Sequence, residues 1–185
     1  MAYYLPILSV FILVFSFLPL LNKIIKKELN HDGKEIKMTE VIHLISEMTD
    51  GKSIIVTDVG QHQMVTSRYY KFTKPKSNIT SGGLGTMGFA LPASLGAKLG
   101  QPKREVIAII GDGGIQMTIQ ELATISQYNI GVKIIILNNN FLGMVRQWQE
   151  LFFENRYSFT EMKNPDFPKI AEGYGIKNNK VENKS

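Results

Sequence analysis

Two apolar segments, each followed by a polar signal, constrain the fold of this chain more than any other feature. Val106–Ile110 leads into Gly111–Gly113, a Gly-Asp-Gly triplet, and Val132–Leu137 leads into three asparagines at 138–140. One helix-length segment, Thr118–Asn129, separates the two. Two parallel strands joined by a crossover helix end on the same edge of a sheet. The sequence therefore predicts that both polar signals lie together at that edge.

The residues at this edge are suited to a metal ion and a phosphate group. Asp112 and Asn139 offer a carboxylate oxygen and an amide oxygen, which are ligand types that Mg²⁺ accepts. Gly113 and Gly114 have no side chain, so their backbone N–H groups can come close to phosphate oxygens. Open α/β sheets bind ligands outside the carboxyl ends of their strands. We therefore expect a Mg²⁺ and phosphate site here.

The rest of the chain alternates between helical and strand patterns, which predicts an α/β domain with a mainly parallel sheet flanked by helices. Turn and cap residues set the expected boundaries, including Thr39 as a helix cap and Asn164-Pro165 as a helix start. The expected segments are helices at Thr39–Met48, Gln61–Tyr70, Ala90–Leu99, Phe141–Phe153 and Asn164–Glu172, a strand at Ser53–Thr57, a basic loop at Lys71–Ser77 and a glycine-rich turn at Gly82–Gly88.

Composition excludes several classes of function. The chain has 185 residues, enough for one domain and little more, and it contains no cysteine, which excludes disulfides and zinc–thiolate sites. A reducing compartment is permitted. The net charge is +5, but lysine and arginine are scattered and form no basic stripe with aromatic residues. We therefore expect no nucleic acid partner, whereas a phosphorylated small ligand would suit the positive balance.

The N-terminal segment differs in composition from the remainder. Ala2–Leu21 has no charged residue, and a helix of this length would span about 30 Å, the thickness of a bilayer core. Lys23, Lys26 and Lys27 follow it, which predicts that the rest of the chain stays in the cytoplasm. The alternatives are an accident of gene boundaries or packing on a partner. A secretory signal fits less well, because no basic residue precedes the apolar run.

The expected organisation is thus a possible membrane anchor at 1–21, a linker at 22–37, a folded domain at 38–177 and a polar tail at 178–185. His31 and His43 belong to no constellation of functional residues, and we expect them to face solvent.

Several motifs together identify a family. Gly111–Gly113 followed at this spacing by Asn139 is the thiamin diphosphate motif, and Gly82–Gly88, Asp58–Met64 and Leu142–Gln149 narrow the match. Together they resemble the large, catalytic subunit of acetolactate synthase (acetohydroxyacid synthase). The resemblance runs from Met38 to Ile176 and covers the C-terminal, diphosphate-binding domain. The pyrimidine-binding domain and the central FAD-associated domain of the family are not matched, and the match predicts a C-terminally truncated domain.

The resemblance implies a role for each matched residue. Mg²⁺ would be bound by the side chains of Asp112 and Asn139 and by the backbone carbonyl of Phe141. Gly85 would bond the aminopyrimidine through its backbone, and Met87 would hold the cofactor bent. Trp148 would line the substrate channel. The remaining implied cofactor contacts are Gln61, His62, Gly113 and Gly114 at the diphosphate, Met144 in the cofactor pocket, and Gly60, Gly111 and Gly143 beside them.

The resemblance also implies an activity. Family members decarboxylate pyruvate and join the product to a second 2-keto acid in branched-chain amino acid biosynthesis, with thiamin diphosphate, Mg²⁺ and, in the full enzyme, FAD. It implies a homo-oligomer or pairing with a chain that carries the pyrimidine-binding domain, and a regulatory subunit. The family's activating glutamate lies outside the matched region, and we nominate none of Glu40, Glu47 or Glu121. We therefore expect half an active site that is inactive alone.

Two alternatives remain open at this point. One is another thiamin diphosphate-dependent decarboxylase or carboligase, although Met144–Trp148 favours acetolactate synthase. The other is a non-catalytic, membrane-attached remnant. The chain also departs from the family at Val65, where an aromatic residue is usual, and it stops before the strand, helices and tail that cover the family's active site.

Overall fold

A computed structural model describes residues 23–29 and 33–184. The predictions for Ala2–Leu21 and for His31 concern positions outside the described residues. Within the described part of the chain, no helix is both long enough and apolar enough to cross a membrane.

The centre of the domain is a four-stranded parallel sheet. Its strands are β1 (Ile54–Thr57), β2 (Asn78–Thr80), β3 (Val106–Gly111) and β4 (Val132–Leu137), in the order β2-β1-β3-β4. The last pair in the β3–β4 register joins Gly111 to Leu137, so the residues after these two strands begin side by side. The predicted parallel α/β sheet is confirmed, and so is the shared edge. Strand β2 was missed because it is only three residues long.

Eight helical segments occur in the described residues, and half of them agree with the prediction to within two residues. They are α1 (23–29), α2 (Met38–Met48), α3 (Gln61–Tyr69), α4 (Ala90–Gly100), α5 (Asp112–Met117), α6 (Glu121–Gln127), α7 (Gly143–Phe152) and α8 (Phe167–Gly173).

The predicted crossover helix was wrong in its boundaries. The expected Thr118–Asn129 helix is shorter and starts later, as α6, and the expected turn after β3 is the short helix α5. Two consecutive glycines suggested the turn, but here they sit inside a helix. The chain breaks between α5 and α6 at Thr118, whose hydroxyl donates to the backbone oxygen of Gly88 at 3.0 Å. A contact with another loop therefore overrides the local pattern.

Two predicted helix starts were also wrong. Thr39 does not cap α2: its hydroxyl is buried without a hydrogen-bond partner among the described residues, while Glu40 accepts from the backbone N–H of Lys37 at 3.1 Å. Helix α8 does not begin at Asn164. It is capped by Asp166, whose carboxylate accepts from the backbone N–H of Lys169.

The predicted linker at 22–37 contains the helical segment α1. Ile25 and Leu29 pack against the apolar cluster on one face of the sheet. Glu28 forms an ion pair with Arg68 at 3.1 Å and accepts a hydrogen bond from the Tyr69 hydroxyl. These contacts hold α1 against α3.

Alternation along β3 builds a core on both faces of the sheet, as a period of two requires. Ile107 and Ile109 face α2 and α3 in one cluster, whereas Val106, Ala108 and Ile110 face α4, α5 and α6 in the other. Because β3 is buried along its whole length, its carboxyl end is held from both sides. This rigid strand end carries Asp112.

Candidate metal and diphosphate site

A cleft with a cavity volume of about 60 Å³ opens at the carboxyl edge of the sheet. It lies where β1, β3 and β4 end, as the sequence predicted for its polar signals. All but two of the predicted site residues line it: Gly60, Gln61, His62, Met87, Gly111, Asp112, Gly113, Gly114, Asn139, Phe141, Gly143 and Met144.

Asp112 and Asn139 face this cleft from neighbouring strand ends. Asp112 is the first residue of α5 and is 2% exposed. The Asn139 side-chain oxygen accepts from the backbone N–H of Phe141 at 3.1 Å, which folds the loop after β4 back on itself. Asn140 adopts a φ of 60° within this turn. The same short loop therefore brings both Asn139 and Phe141 to the cleft.

A second segment supports the loop after β4. Its backbone pairs with the stretch before α8: the N–H of Leu142 donates to Thr160 at 2.8 Å, and the N–H of Met162 donates to Asn140 at 2.8 Å. The Arg146 guanidinium packs on the Phe141 ring, 4.1 Å from its centroid, and on the Tyr157 ring at 4.5 Å. The position of the Phe141 backbone therefore depends on this later segment.

Sequence reasoning missed Asn164, which contacts the metal-ligand candidate Asp112 directly. Its side-chain nitrogen donates to Asp112 Oδ2 at 2.6 Å and lies within 3.0 Å of the side-chain oxygens of Asn138 and Asn140. Its position before Pro165 indicated a helix start, and no local pattern pointed to the cleft. Its contacts with Asp112 and Asn138 cross 52 and 26 positions of the chain.

Sequence reasoning also left out Asp58, which fixes the glycine-rich turn. Its carboxylate is fully buried and accepts from the backbone N–H groups of Val59 at 2.8 Å, Gly88 at 3.0 Å and Ala90 at 3.0 Å. These bonds tie the end of β1 to the start of α4. They place Met87 at the cleft, since it directly precedes Gly88.

His62 is buried between two glycines. A Cβ atom on Gly60 or on Gly111 would come within 2.8 or 2.9 Å of the imidazole Cε1, so only glycine leaves room for the ring at these positions. The imidazole Nε2 is buried and has no partner among the described residues. Burial lowers the pKa of His62, although the charges of Asp58 and Asp112 oppose the shift. Burial therefore favours the neutral form of the ring, and its buried Nε2 is a polar atom whose partner a ligand could supply.

The other glycines of the cleft also allow close packing. A Cβ on Gly114 would lie 2.7 Å from Asp58 Oδ1, and a Cβ on Gly143 would lie 2.3 Å from Gln61 Oε1. At Gly113, a Cβ would lie 2.9 Å from Leu142 Cδ2. Gly114 thus leaves room for the buried Asp58 carboxylate, whereas the contacts at Gly113 and Gly143 are with the flexible ends of side chains. The phosphate approach of Gly113 and Gly114 stays a prediction.

Gly85 and Trp148 do not line the cleft. Gly85 lies in the exposed glycine-rich turn with a φ of 60°, and its N–H donates to the backbone oxygen of Ser81 at 3.1 Å. Trp148 is 57% exposed on α7, one turn beyond Met144. His43, for which solvent exposure was expected, is partly exposed and pairs with Glu47 at 3.2 Å.

The donor atoms of the cleft fit Mg²⁺ better than a transition metal. The described residues contain no group of three or more His, Cys, Asp and Glu side chains that could hold a metal. The three expected ligands, one carboxylate, one amide oxygen and one backbone carbonyl, are all oxygens, which suits a hard cation that keeps waters and binds phosphate. The buried Nε2 of His62, which has no partner among the described residues, lies beside these oxygens in the cleft.

Known proteins are similar to this chain in sequence. Residues 58–185 match the family described as thiamine pyrophosphate enzyme, C-terminal TPP binding domain. The acetolactate synthase large subunit of Lactococcus lactis subsp. lactis (strain IL1403) is 54% identical over 155 residues, which are 83% of this chain and 26% of that protein. The isozyme 3 large subunit of Escherichia coli (strain K12) is 49% identical over 144 residues, 77% of this chain and 25% of that protein.

A solved structure shares the fold. The thiamine diphosphate-dependent 4-hydroxybenzoylformate decarboxylase of Rhodococcus jostii RHA1 superposes with a TM-score of 0.75 at 29% identity, over 82% of this chain and 29% of that chain. This chain therefore spans about a quarter of the length of the relatives it matches.

Proposed function

Because the chain belongs to the thiamine pyrophosphate enzymes, through their C-terminal TPP-binding domain, we propose that it is the diphosphate-binding part of an acetolactate synthase active site. The observation that carries the proposal is the placing of Asp112 and Asn139 at one sheet edge, beside the unpaired nitrogen of His62. When bound, thiamin diphosphate supplies the electron sink for decarboxylation and for carbon–carbon bond formation. The chain's own residues bind and orient it.

The proposed metal ligands are the Asp112 carboxylate, the Asn139 amide oxygen and the Phe141 backbone carbonyl. A bound Mg²⁺ would offset the charge of the diphosphate, and the buried His62 ring would lie against a phosphate group. The other proposed cofactor contacts are Gln61, Gly113 and Gly114 at the diphosphate, Met87 and Met144 at the organic part, Gly85 at the aminopyrimidine, and Gly60, Gly111 and Gly143 beside the phosphates.

The proposed substrates are pyruvate and a second 2-keto acid. Two relatives near 50% identity are named acetolactate synthase large subunits, whereas the decarboxylase with the shared fold is 29% identical. The segment Met144–Trp148 supports the same choice. Trp148 is exposed on α7 just beyond Met144, which suits a residue that lines a substrate channel. A decarboxylase acting on a single 2-keto acid is the second candidate, supported by that shared fold.

The proposed partner carries the pyrimidine-binding half of the site, either as a different polypeptide or as a second copy in a homo-oligomer. A regulatory subunit is proposed in addition. The domain at 38–177 would act in the cytoplasm, with residues 2–21 as a possible attachment to the membrane. We expect no acetolactate from this chain alone, because the family's activating glutamate lies outside the region matched to the family. Adding the pyrimidine-binding domain should restore activity.

Calorimetry of the full chain tests the proposed site. Thiamin diphosphate should bind only when Mg²⁺ is present. Asp112→Ala should abolish this binding, because it removes the one carboxylate of the ligand set, and Asn139→Ala should weaken it less. Asp50→Ala removes an exposed carboxylate at the end of α2 and should bind as the wild type does. Unchanged affinity in Asp112→Ala would refute the site.

A further inference from the structure

The Asn164 side chain joins the two strand ends that carry the proposed metal ligands. Its Nδ2 lies 2.6 Å from Asp112 Oδ2, beyond β3, and 2.9 and 3.0 Å from the Oδ1 atoms of Asn138 and Asn140, beyond β4. Asn139, the proposed amide ligand, stands between these two asparagines in the chain. Asn164 therefore bridges the carboxylate to the loop that holds the second ligand.

The orientation of the Asn164 amide follows from its neighbours. The Gln116 Nε2 atom lies 3.0 Å from the backbone oxygen of Asp112, which can only accept a hydrogen bond. Gln116 is thus a donor on this side, and the same nitrogen lies 2.9 Å from Asn164 Oδ1. The Asn164 oxygen consequently faces Gln116, and its NH₂ group faces the Asp112 carboxylate.

Three oxygen atoms surround a nitrogen that carries only two hydrogens. Asn138 Oδ1 is fixed as an acceptor by the backbone N–H of Asn140 at 3.1 Å, so it cannot turn away from Asn164 as a donor. The two N–H hydrogens can make straight hydrogen bonds to at most two of these oxygens, and the third oxygen must share a hydrogen with one of them. The NH₂ group thus lowers the mutual repulsion of oxygens drawn from three different side chains.

Asn164 occupies only one oxygen of the Asp112 carboxylate. Among residues 23–29 and 33–184, no group donates a hydrogen bond to Asp112 Oδ1. Asp112 is 2% exposed, and its carboxylate has few positions available to it. A bond that fixes Oδ2 therefore also fixes the direction in which Oδ1 is presented.

We propose that Asn164 is a positioning residue for the divalent metal ion of this site. Its amide holds Asp112 Oδ2 and the loop from Asn138 to Asn140 in one arrangement, so that Asp112 Oδ1 and Asn139 reach the same ion. The inference rests on the proposed function, since it requires Mg²⁺ at this edge. Partners that orient a metal ligand in this way typically contribute 10–100-fold to metal affinity.

The choice of metal distinguishes positioning from general support of the fold. Mg²⁺ demands a nearly octahedral set of ligands at short distances, whereas Ca²⁺ tolerates varied geometry and longer bonds. Freeing the Asp112 carboxylate should therefore weaken Mg²⁺ binding more than Ca²⁺ binding. A variant that merely lowered the folded fraction would weaken both ions by the same factor.

The experiment titrates the full chain, in the presence of excess thiamin diphosphate, with Mg²⁺ and separately with Ca²⁺. We expect Asn164→Ala to weaken Mg²⁺ binding at least tenfold and to lower the ratio of Mg²⁺ to Ca²⁺ affinity. Gln116→Ala, which removes the group that orients Asn164, should shift both quantities the same way by a smaller factor. Asn178→Ala is the matched control, because its amide donates only to the backbone oxygen of Ile176 at 3.3 Å.

The outcomes separate this inference from the proposed function. A wild-type chain that binds neither ion with the cofactor overturns both. A wild type that binds, with Asn164→Ala unchanged, tightened or weakened equally for the two ions, overturns the positioning role alone. If Asn164→Ala does not show a cooperative thermal transition, Gln116→Ala decides: an unchanged ratio of affinities overturns the proposal.

Discussion

At the scale of single residues, the site depends on groups that are buried and oriented by the backbone. The Asp58 carboxylate receives three backbone N–H groups, and the His62 ring fills the space that two glycines leave open. Each arrangement costs stability when it is incomplete, because a buried polar group without a partner loses its hydration. His62 is the clearest case, since its Nε2 has no partner in the described chain.

The buried His62 predicts how stability depends on pH. Burial holds the pKa of His62 below its ordinary 6.5 in the folded chain, so the unfolded chain binds more protons at and below about pH 6.5. The contribution of His62 to the free energy of unfolding is therefore complete above pH 6.5. It decreases as the pH falls from there towards the folded-state pKa, by at most about 1.4 kcal/mol per pH unit.

Urea denaturation at pH 7.5, 6.5 and 5.5 measures this effect. Between pH 6.5 and pH 5.5, the free energy of unfolding of His62→Gln should fall by less than that of the wild type. Gln63 lies on the same helix as His62, and Gln63→Ala removes a hydrogen bond of 2.7 Å to Thr80 on β2. This variant should keep the wild-type dependence of stability on pH. Parallel curves for His62→Gln and wild type would contradict the account.

At the scale of elements, the site depends on how the segment from α7 to α8 supports the loop after β4. Residues 151–159 are exposed throughout, yet they include Tyr157, which packs on Arg146. The Tyr157 hydroxyl also donates to Glu150 at 3.0 Å, and Glu150 accepts from Arg146 at 3.4 Å. The Gln149 side chain also forms two hydrogen bonds with the Ser158 backbone, at 3.0 and 3.1 Å, and these contacts together hold an otherwise solvated turn.

Removing the Arg146 side chain should therefore open this turn. Each cation–π contact is worth about 0.5–1 kcal/mol at an exposed site, and losing about 1 kcal/mol raises the open population about fivefold. Cleavage by trypsin after Arg156, followed by mass spectrometry, should accelerate by about that factor in Arg146→Ala. Lys133→Ala breaks an exposed ion pair with Glu105 and should leave the rate unchanged. Equal rates in the two variants would show that the turn does not rely on Arg146.

The elements also show what sequence patterns could predict. The strands β3 and β4 were placed correctly, because long β-branched runs have few alternatives in an α/β chain. The break between α5 and α6 was not predicted, because it depends on the hydrogen bond between Thr118 and Gly88, which lies 30 positions earlier in the chain. The site followed the same rule. Asp112 and Asn139 could be predicted from the strand ends, whereas Asn164 reaches Asp112 only through the folded chain.

At the scale of the whole molecule, the candidate site lies at the carboxyl edge of the sheet, and hydrogen bonds at the opposite edge connect neighbouring strands. The carboxyl ends of the strands carry Asp112, Asn139 and His62 around the cleft. At the amino ends, Arg104 donates to the backbone oxygen of Lys52 at 2.7 Å and to the Ser77 hydroxyl at 2.6 Å, which ties neighbouring strands together. A metal ion bound as proposed should affect only the first of these edges.

The most direct test of the central claim is to locate the ion by nuclear magnetic resonance of the ¹⁵N-labelled full chain, with thiamin diphosphate and paramagnetic Mn²⁺ in place of Mg²⁺. Mn²⁺ accepts the same oxygen ligands. We predict that the amide signals of Gly113, Gly114 and Phe141 broaden first, while those of Gly51 and Lys52 at the amino edge stay sharp. Broadening centred elsewhere, or none at these three amides, would contradict the account.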